Sequence, residues 1–293
     1  MKTKHLLISA IILAHFLFNS CEKEKVDNAK IQLPVSDFSV KVENNKLVFP
    51  TVSDYEKAIT YLGRLGDENF DLWEQSIGFK SMRTEIGLET DTLVKDPLLG
   101  TLINKDYEIV IQGYNFKLNL KEEKVEVSSV NSDLKSTGNS ELYSTNVDLL
   151  DKIFYPENYK ETTEPKLKGW FHDKDGTYRI DVSSGSHVKV KLVYQKAAIY
   201  FSLLSDIKHV NHSGCGGNVH IGYQYQPGCF YWKKGNNNST DIPEHSDGGD
   251  CREYDRRPYH GGRGLKDYYL SVKFWISDYT WGKYPTITLT IDK

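Results

Sequence analysis

Residues 187–195 read HVKVKLVYQ, and apolar side chains stand at every second position from Val188 to Tyr194. Side chains alternate between the two faces of a β-strand, so this pattern places one face in a core. The same period recurs later in the chain, in residues 197–207, 218–226, 268–277 and 286–291. A series of such strands with little helix signal predicts an antiparallel β-sandwich or open barrel in the C-terminal half.

A tight turn is predicted just before this stretch. Residues 169–171 and 178–182 have strand composition, and the run DKDGT at 173–177 lies between them. Asp-Gly between two strands is a strong hairpin signal. Alternate carboxylates also suit a calcium loop, but the acidic residue that such a loop needs at its twelfth position is missing. We therefore expect a plain turn and no metal site.

The N-terminal half begins with a predicted helical hairpin. Residues 53–56 read SDYE, a capping box in which the Ser53 side chain would cap the first helix. Apolar residues then recur at helical spacing, and Gly63 or Gly66 can end that helix. A second helix is expected to follow and to end at Gly78.

The remaining periodicity sets the domain organisation. Alternation from Tyr107 predicts a β-hairpin over 107–120, with a turn at Gly113-Tyr114, and a further strand within 121–130. The predicted fold class is therefore α+β, mostly β, with a helical hairpin and β-hairpins in the N-terminal half. The predicted parts are a signal peptide (1–20), a tether (21–37), a small α+β module (38–130), a linker rich in Ser, Asn and Thr (131–165) and a β-rich domain (166–293).

The first 21 residues carry an export signal. A basic start precedes an apolar stretch from Leu6 to Phe18, and Ser20 stands directly before Cys21. Signal peptides have an apolar core of about 7–15 residues, whereas a membrane-spanning helix needs about 20. We predict cleavage before Cys21 and a lipid anchor on its sulfur, which would hold the protein on a membrane. An ordinary signal peptide followed by a chance cysteine is the alternative.

Two longer motifs stand in the N-terminal half, WEQSIGFKSMR at 73–83 and DPLLGTLINKDYEIVI at 96–111. On these motifs, residues 38–125 resemble a group of uncharacterised lipoproteins from gut Bacteroidetes. The charged run EKEK after Cys21 is also similar to the tags of their surface-exposed members, with a solvated linker as the alternative. The resemblance implies an outer-membrane lipoprotein of the bacterial cell envelope, exposed at the surface. It assigns no catalytic residues.

Charge and motif content exclude several function classes. The chain has 37 basic and 40 acidic residues, and cleavage would remove Lys2 and Lys4, which leaves a net charge of −5. Nucleic-acid binding needs clustered positive charge, so we expect no nucleic-acid partner. The sequence has no Gly-x-Ser-x-Gly elbow, no phosphate-binding Gly-Lys-Ser loop and no His-Glu-x-x-His pattern. We expect no cofactor and assign no catalytic residue.

Three cysteines remain besides the anchor: Cys215, Cys229 and Cys251. An exported protein can form disulfides, and three thiols allow one intramolecular bridge at most. The sequence does not decide which pair closes.

Two segments are candidate sites. Residues 209–220 contain three His and Cys215, which could make a thiol hydrolase site or a zinc site, although the spacing fits no compact zinc pattern. A structural disulfide or a plain loop is the alternative. Residues 234–264 are predicted to be a long loop, and loops of that length are usually functional or disordered.

We interpret the chain as a lipid-anchored envelope protein that binds a glycan or a protein without catalysing a reaction. Aromatic and Arg side chains are frequent anchors for partners. The candidate ligand-binding residues are Tyr223, Tyr225, Trp232, Tyr254, Arg256, Arg257 and Tyr259. A hydrolase acting through the 209–220 segment and a purely structural envelope component are the alternatives.

Overall fold

A computed structural model of the protein describes residues 33–88, 93–119, 121–130, 140–157, 159, 170–179, 187–210, 219–250, 254–278 and 286–293. Residues 36–293 form one compact unit, and every element below belongs to it. The signal peptide and Cys21 lie outside the described residues, so the predicted cleavage and lipid anchor stay predictions.

The described residues form the following elements. The strands are β1 (Lys41–Glu43), β2 (Lys46–Phe49), β3 (Glu108–Ile111), β4 (Tyr114–Asn119), β5 (Lys124–Ser129), β6 (Glu141–Ser144), β7 (Phe171–Arg179), β8 (His187–Lys196), β9 (Phe201–Val210), β10 (Val219–Tyr225), β11 (Phe230–Lys233), β12 (Thr240–Asp241), β13 (Ser246–Asp250), β14 (Tyr254–Gly261), β15 (Leu265–Asp278) and β16 (Thr286–Asp292). The helices are α1 (Val52–Leu65), α2 (Phe70–Ile77), α3 (Met82–Glu85), α4 (Pro97–Leu102) and α5 (Leu149–Phe154), with a 3-10 turn at Asp67–Asn69.

The first sheet contains β1 to β6 in chain order. All neighbouring strands are antiparallel except β2 and β3, which are parallel. Parallel neighbours need a long crossover connection, and helices α1 to α4 supply it. Phe49 at the end of β2 packs edge-on against Tyr55 of α1, with 5.4 Å between ring centroids.

The predicted helical hairpin is confirmed, but the predicted cap of its first helix lies two residues too late in the chain. Thr51 caps α1: it has extended backbone angles, and its hydroxyl accepts a hydrogen bond from the Asp54 amide at 3.0 Å. Ser53 lies inside the first turn of the helix. Of the two predicted stops, Gly66 is the residue that ends α1, and Gly78 ends α2 in the left-handed conformation.

The predicted linker 131–165 is wrong for the part that the structure describes. Residues 141–144 form β6, which pairs with β5, and residues 149–154 form α5. Leu149 and Leu150 are buried, and the Leu149 amide donates to the Ala198 carbonyl at 3.0 Å. Burial of the apolar pair Leu149-Leu150 stabilises this segment as a helix on the core, although the residues around the pair are polar. The wider division into modules 38–130 and 166–293 stays a prediction.

Two antiparallel sheets make up the C-terminal half. One has the order β14-β9-β8-β7, and the other has the order β12-β11-β15-β10-β13 with β16 paired to β15. Their inner faces share one hydrophobic core, and the predicted fold class, an antiparallel β-sandwich or open barrel in this half, is confirmed. The core includes Val188, Val190, Leu192, Tyr194, Leu203, Ile207, Ile221, Leu270, Val272, Phe274, Ile276, Leu289 and Ile291.

Two predicted loops are strands in the structure. Residues 173–177 lie within β7, where Asp173 pairs with Val193 and Asp175 with Lys191 of β8. The predicted Asp-Gly turn is therefore wrong, because pairing along the whole of β8 keeps the chain extended. The predicted 234–264 loop contains β12, β13 and β14, so that prediction is wrong as well.

No helix among the described residues combines the length and the apolar character that a membrane crossing requires.

We predict that Thr51→Ala lowers the free energy of unfolding by about 1 kcal/mol, because it removes the side-chain acceptor at the start of α1. Ser53→Ala should change that free energy by less than about 0.5 kcal/mol, since Ser53 is exposed and caps nothing in this structure. Urea unfolding of both variants measures the difference. Equal losses of unfolding free energy, or a larger loss for Ser53→Ala, would show that Thr51 is not the residue that caps α1.

Candidate functional site

Three of the four predicted ligand-binding tyrosines are core residues. Tyr223, Tyr225 and Tyr259 keep only 3%, 0% and 5% of their surface exposed. Tyr223 and Tyr225 occupy the inner positions of β10, and the Tyr225 hydroxyl lies 2.8 Å from the Ser205 hydroxyl. Strand alternation turns these rings into the sandwich, and their assignment as ligand-binding residues stays a prediction that their burial does not support.

The other predicted aromatic and Arg residues lie on two different sheets. Trp232 belongs to β11; its indole N–H donates to the Asn236 carbonyl at 2.9 Å, and the Lys266 ammonium stands 3.8 Å from its ring centroid. Tyr254 and Arg256 belong to β14 on the opposite sheet. The structure therefore does not bring the predicted set together on one surface.

The cysteine predictions are tested at one position only. Cys229 is a free, buried thiol, and its sulfur accepts a hydrogen bond from the Ser271 amide at 3.3 Å. Burial raises the pKa of this thiol. Cys229 thus forms no disulfide in this structure. Cys215 and Cys251 lie outside the described residues, as does most of the 209–220 segment, so a bridge between those two and the hydrolase site stay predictions.

Arg257 of β14 is the centre of a buried ionic cluster, which we call the arginine–carboxylate cluster. Its side chain is 4% exposed, and all three of its nitrogens contact carboxylates. Nε donates to Asp96 at 2.8 Å, Nη1 to Asp255 at 2.7 Å and Nη2 to Asp67 at 2.8 Å. One positive charge therefore faces three acidic side chains from three parts of the chain.

Asp96 is the best satisfied of the three carboxylates. It caps α4 by accepting from the Leu98 amide at 2.9 Å, and it also accepts from the hydroxyls of Tyr200, at 2.7 Å, and Ser202. Burial by itself would raise the pKa of Asp96, but the Arg257 charge and the two hydroxyls outweigh it and hold that pKa below its ordinary value. Asp96 thus carries a buried negative charge.

The pKa values of Asp67 and Asp255 are shifted in the opposite direction from that of Asp96. Burial raises the pKa of Asp67 to about 7, and the nearby Asp255 and Asp96 charges add to that rise against the Arg257 charge. Burial likewise raises the pKa of Asp255, and Asp206 and Asp96 contribute. The cluster therefore holds one firmly ionised carboxylate and two that resist ionisation.

A second feature lies on the outer face of the larger sheet. Val272, Phe274 and Ile276 of β15 point into the core, so Lys273 and Trp275 point outward. Trp275 pairs with Gly222 of β10 on one side and with Thr286 of β16 on the other.

The Trp275 ring reaches across β10 toward β13. A Cβ atom on Gly222 would stand 2.2 Å from the indole, and one on Gly248 of β13 would stand 2.4 Å from it. Gly222 and Gly248 pair directly across β10 and β13. The six-membered ring of the indole thus packs directly on the two glycines. Glycine inside a strand marks such a close approach.

Polar side chains surround the indole. They share this face of the sheet by strand alternation and pairing, and most of them are exposed. We name as the outer face the residues Gly222, Gln224, Ser246, Gly248, Lys273, Trp275, Thr286 and Thr288.

Sequence reasoning missed both features. Trp275 lies in the predicted strand 268–277, and Gly222 between Ile221 and Tyr223 carried a usable signal for close approach. Arg257 was singled out as a ligand contact, but its partners come from distant parts of the sequence that no local pattern links. Among the described residues, no group of three or more His, Cys, Asp or Glu side chains is arranged to hold a metal ion.

Comparisons with known proteins give a loose connection. No protein-family model and no curated protein matches the chain. The crystal structure of a DUF4848 family protein from Bacteroides thetaiotaomicron is similar at 12% identity, over 86% of this chain and 100% of that one, with a TM-score of 0.22. At that TM-score the similarity carries no argument about fold or activity, and it leaves only a loose link to a Bacteroides family of unknown function.

We predict that Arg257→Met lowers the free energy of unfolding at pH 7 by about 3–5 kcal/mol, because buried carboxylates lose the guanidinium that pairs with them. Arg256→Met, a change at the neighbouring half-buried position, should cost less than about 1 kcal/mol. Chemical denaturation of both variants measures this. The cluster interpretation is wrong if the two losses are the same.

Proposed function

We propose that this protein is a lipid-anchored envelope protein that binds glycans through the outer face defined above. The observation that carries the proposal is the Trp275 indole, which packs directly on the glycine pair Gly222 and Gly248 at the outer side of the sheet. No catalysis is proposed.

The flat indole suits the chemistry of a sugar ring. A pyranose presents C–H groups on its faces and hydroxyls around its edge, so it stacks well on an aromatic ring while its edge stays polar. Trp supplies a large, rigid apolar surface for such contact. Close contact with the two glycines restricts the motion of the indole, so that little conformational freedom is lost on binding.

The surroundings of Trp275 suit the edge of the sugar. Gln224 and Lys273 pair across β10 and β15, and Lys273 pairs with Thr288 of β16. These side chains offer both donors and acceptors to hydroxyl groups. A mixed polar rim around one aromatic anchor is the usual composition of a binding site.

Attachment to the envelope is proposed from the sequence. The apolar segment before Cys21 is too short to stay in a bilayer as a helix, and acyl chains on Cys21 would provide the membrane affinity instead. Such an anchor would keep a glycan-binding face at the bacterial surface without a membrane-spanning segment. A protein ligand at the same face is the alternative that the binding test separates.

We predict that the purified full chain binds a subset of glycans on an array and that Trp275→Ala weakens this binding at least about tenfold, as for an aromatic hot spot. Gly222→Ala should weaken it as well, because the new methyl group displaces the indole. Trp232→Ala is the matched control: Trp232 is on the same sheet, but its ring already contacts Lys266, and glycan binding should be retained. Isothermal titration with the best glycan gives the affinities.

The proposal fails if the native protein binds no glycan, or if Trp275→Ala binds as the native protein does. Binding to peptides but not to glycans would indicate that the ligand of the outer face is a protein.

We predict that Cys21→Ser moves the protein from the membrane fraction to the soluble fraction and abolishes labelling with radioactive fatty acid. Cys229→Ser is the control, because it replaces a buried cysteine of the folded unit and should leave the label in place. Continued labelling of Cys21→Ser would contradict the anchor.

A further inference from the structure

Asp67 connects the helical hairpin to the sandwich. It lies in the 3-10 turn between α1 and α2, and its Oδ2 accepts from Nη2 of Arg257 on β14 at 2.8 Å. The turn itself closes through the Asn69 amide and the Gly66 carbonyl at 3.1 Å. The second oxygen of Asp67, Oδ1, is buried and has no hydrogen-bond partner among the described residues. An ionised Asp67 would therefore be only half satisfied.

Three charged groups act on this carboxylate directly, and they are Arg257 and Asp255 of β14 and Asp96 before α4. Further titratable groups act on these neighbours or on His260 of β14: Asp206 on Asp255, Tyr200 on Arg257, and Arg64 at the end of α1 on His260. Asp206 is paired with Lys191 at 3.4 Å. The Arg257 charge is shared by three carboxylates, and Asp96 takes the strongest share because it has no exposed surface and four donors.

His260 belongs to the same contact between α1 and β14. A Cβ atom on Gly63 of α1 would stand 2.3 Å from the His260 Nε2, so the ring packs directly on the helix backbone. Strand β14 thus contacts α1 through His260 against Gly63, and it contacts the turn after α1 through Arg257 against Asp67.

We propose that Asp67 makes a proton-dependent latch, which holds the α1–α2 turn on β14 when its carboxyl is protonated and loosens the turn when it ionises. A proton on the partnerless side of the carboxyl leaves Asp96 and Asp255 to share the guanidinium. Loss of that proton adds a negative charge to a cluster in which Asp96 is already ionised and Arg257 is the cation, and part of the turn must then reach water.

The direction of the pH effect follows from the pKa of Asp67. Burial raises this pKa from 3.8 to about 7 in the folded protein. The folded state therefore binds the proton more tightly than the opened state, so the latch is fully effective below pH about 4 and is lost as the pH rises through about 7. His260 acts in the opposite direction, since burial lowers its pKa and protonation at acidic pH would disfavour its packing. A variant at Asp67 separates the two effects.

Hydrogen exchange on the full chain tests the latch. Protection factors, corrected for the intrinsic pH dependence of exchange, are measured for the amides of Asn69 and of α2 from pH 4.5 to 8.5. We expect them to fall as the pH rises, by up to about tenfold for each pH unit below pH 7. Amides of β15 serve as the internal reference and should keep their protection.

Asp67→Asn should remove this pH dependence, because the amide keeps an acceptor for Arg257 and carries no titrating charge. Asp255→Asn should keep the pH dependence but move it to lower pH, since it removes a like charge beside Asp67. Asp106→Asn is the matched control at an exposed aspartate and should behave as the native protein does.

Three results would overturn the proposal. These are protection in the native turn that does not change with pH, an unchanged pH dependence in Asp67→Asn, and a pH dependence that disappears in Asp255→Asn instead. The last result would assign the titrating proton to Asp255.

Discussion

The charge of Asp96 has to be matched inside the protein, because its carboxylate has no exposed surface. The groups that match it come from separate elements: Arg257 from β14, and Tyr200 and Ser202 from the start of β9. A buried charge tolerates little misplacement, since a lost partner leaves it unpaired at a cost of several kcal/mol. This polar cluster therefore links the helical crossover to the four-stranded sheet, of which β14 is an edge strand. The apolar core alone would accept several arrangements.

Local patterns in the sequence were sufficient for most elements. Period-two alternation found β8, β9, β10, β15 and β16, and helical spacing with glycine stops found α1 and α2. The errors have physical causes. Thr51 and Ser53 are both good caps, and only the backbone entry into α1 decides between them. Composition favoured a turn at 173–177, but a full-length partner strand overrides a local turn preference.

The candidate sites were harder to predict, because they depend on contacts between distant residues. Arg257 contacts Asp67 and Asp96, which are 190 and 161 positions away in the chain. The outer face was easier to predict from the sequence. Alternation alone places Trp275 opposite the buried Phe274, but the partner glycine Gly248 becomes apparent only from the pairing of β10 with β13. The predicted aromatic binding set shows the same limit. Residue type indicated a binding surface, whereas strand alternation places Tyr223 and Tyr225 in the core.

The parallel pair β2–β3 imposes an order on the assembly of the first sheet. Strands β3 to β6 are neighbours in the sequence and can form as a meander through short loop closures. Strand β2 can join only after the crossover has collapsed, because contacts such as Val52 with Gln112 join residues 60 positions apart. Closing so long a loop lowers the chain entropy before any stabilising contact has formed. In a chain whose crossover has not yet folded, β1 and β2 would therefore lack their neighbouring strand β3. The apolar side of that hairpin would stay exposed until the β3–β6 meander has formed.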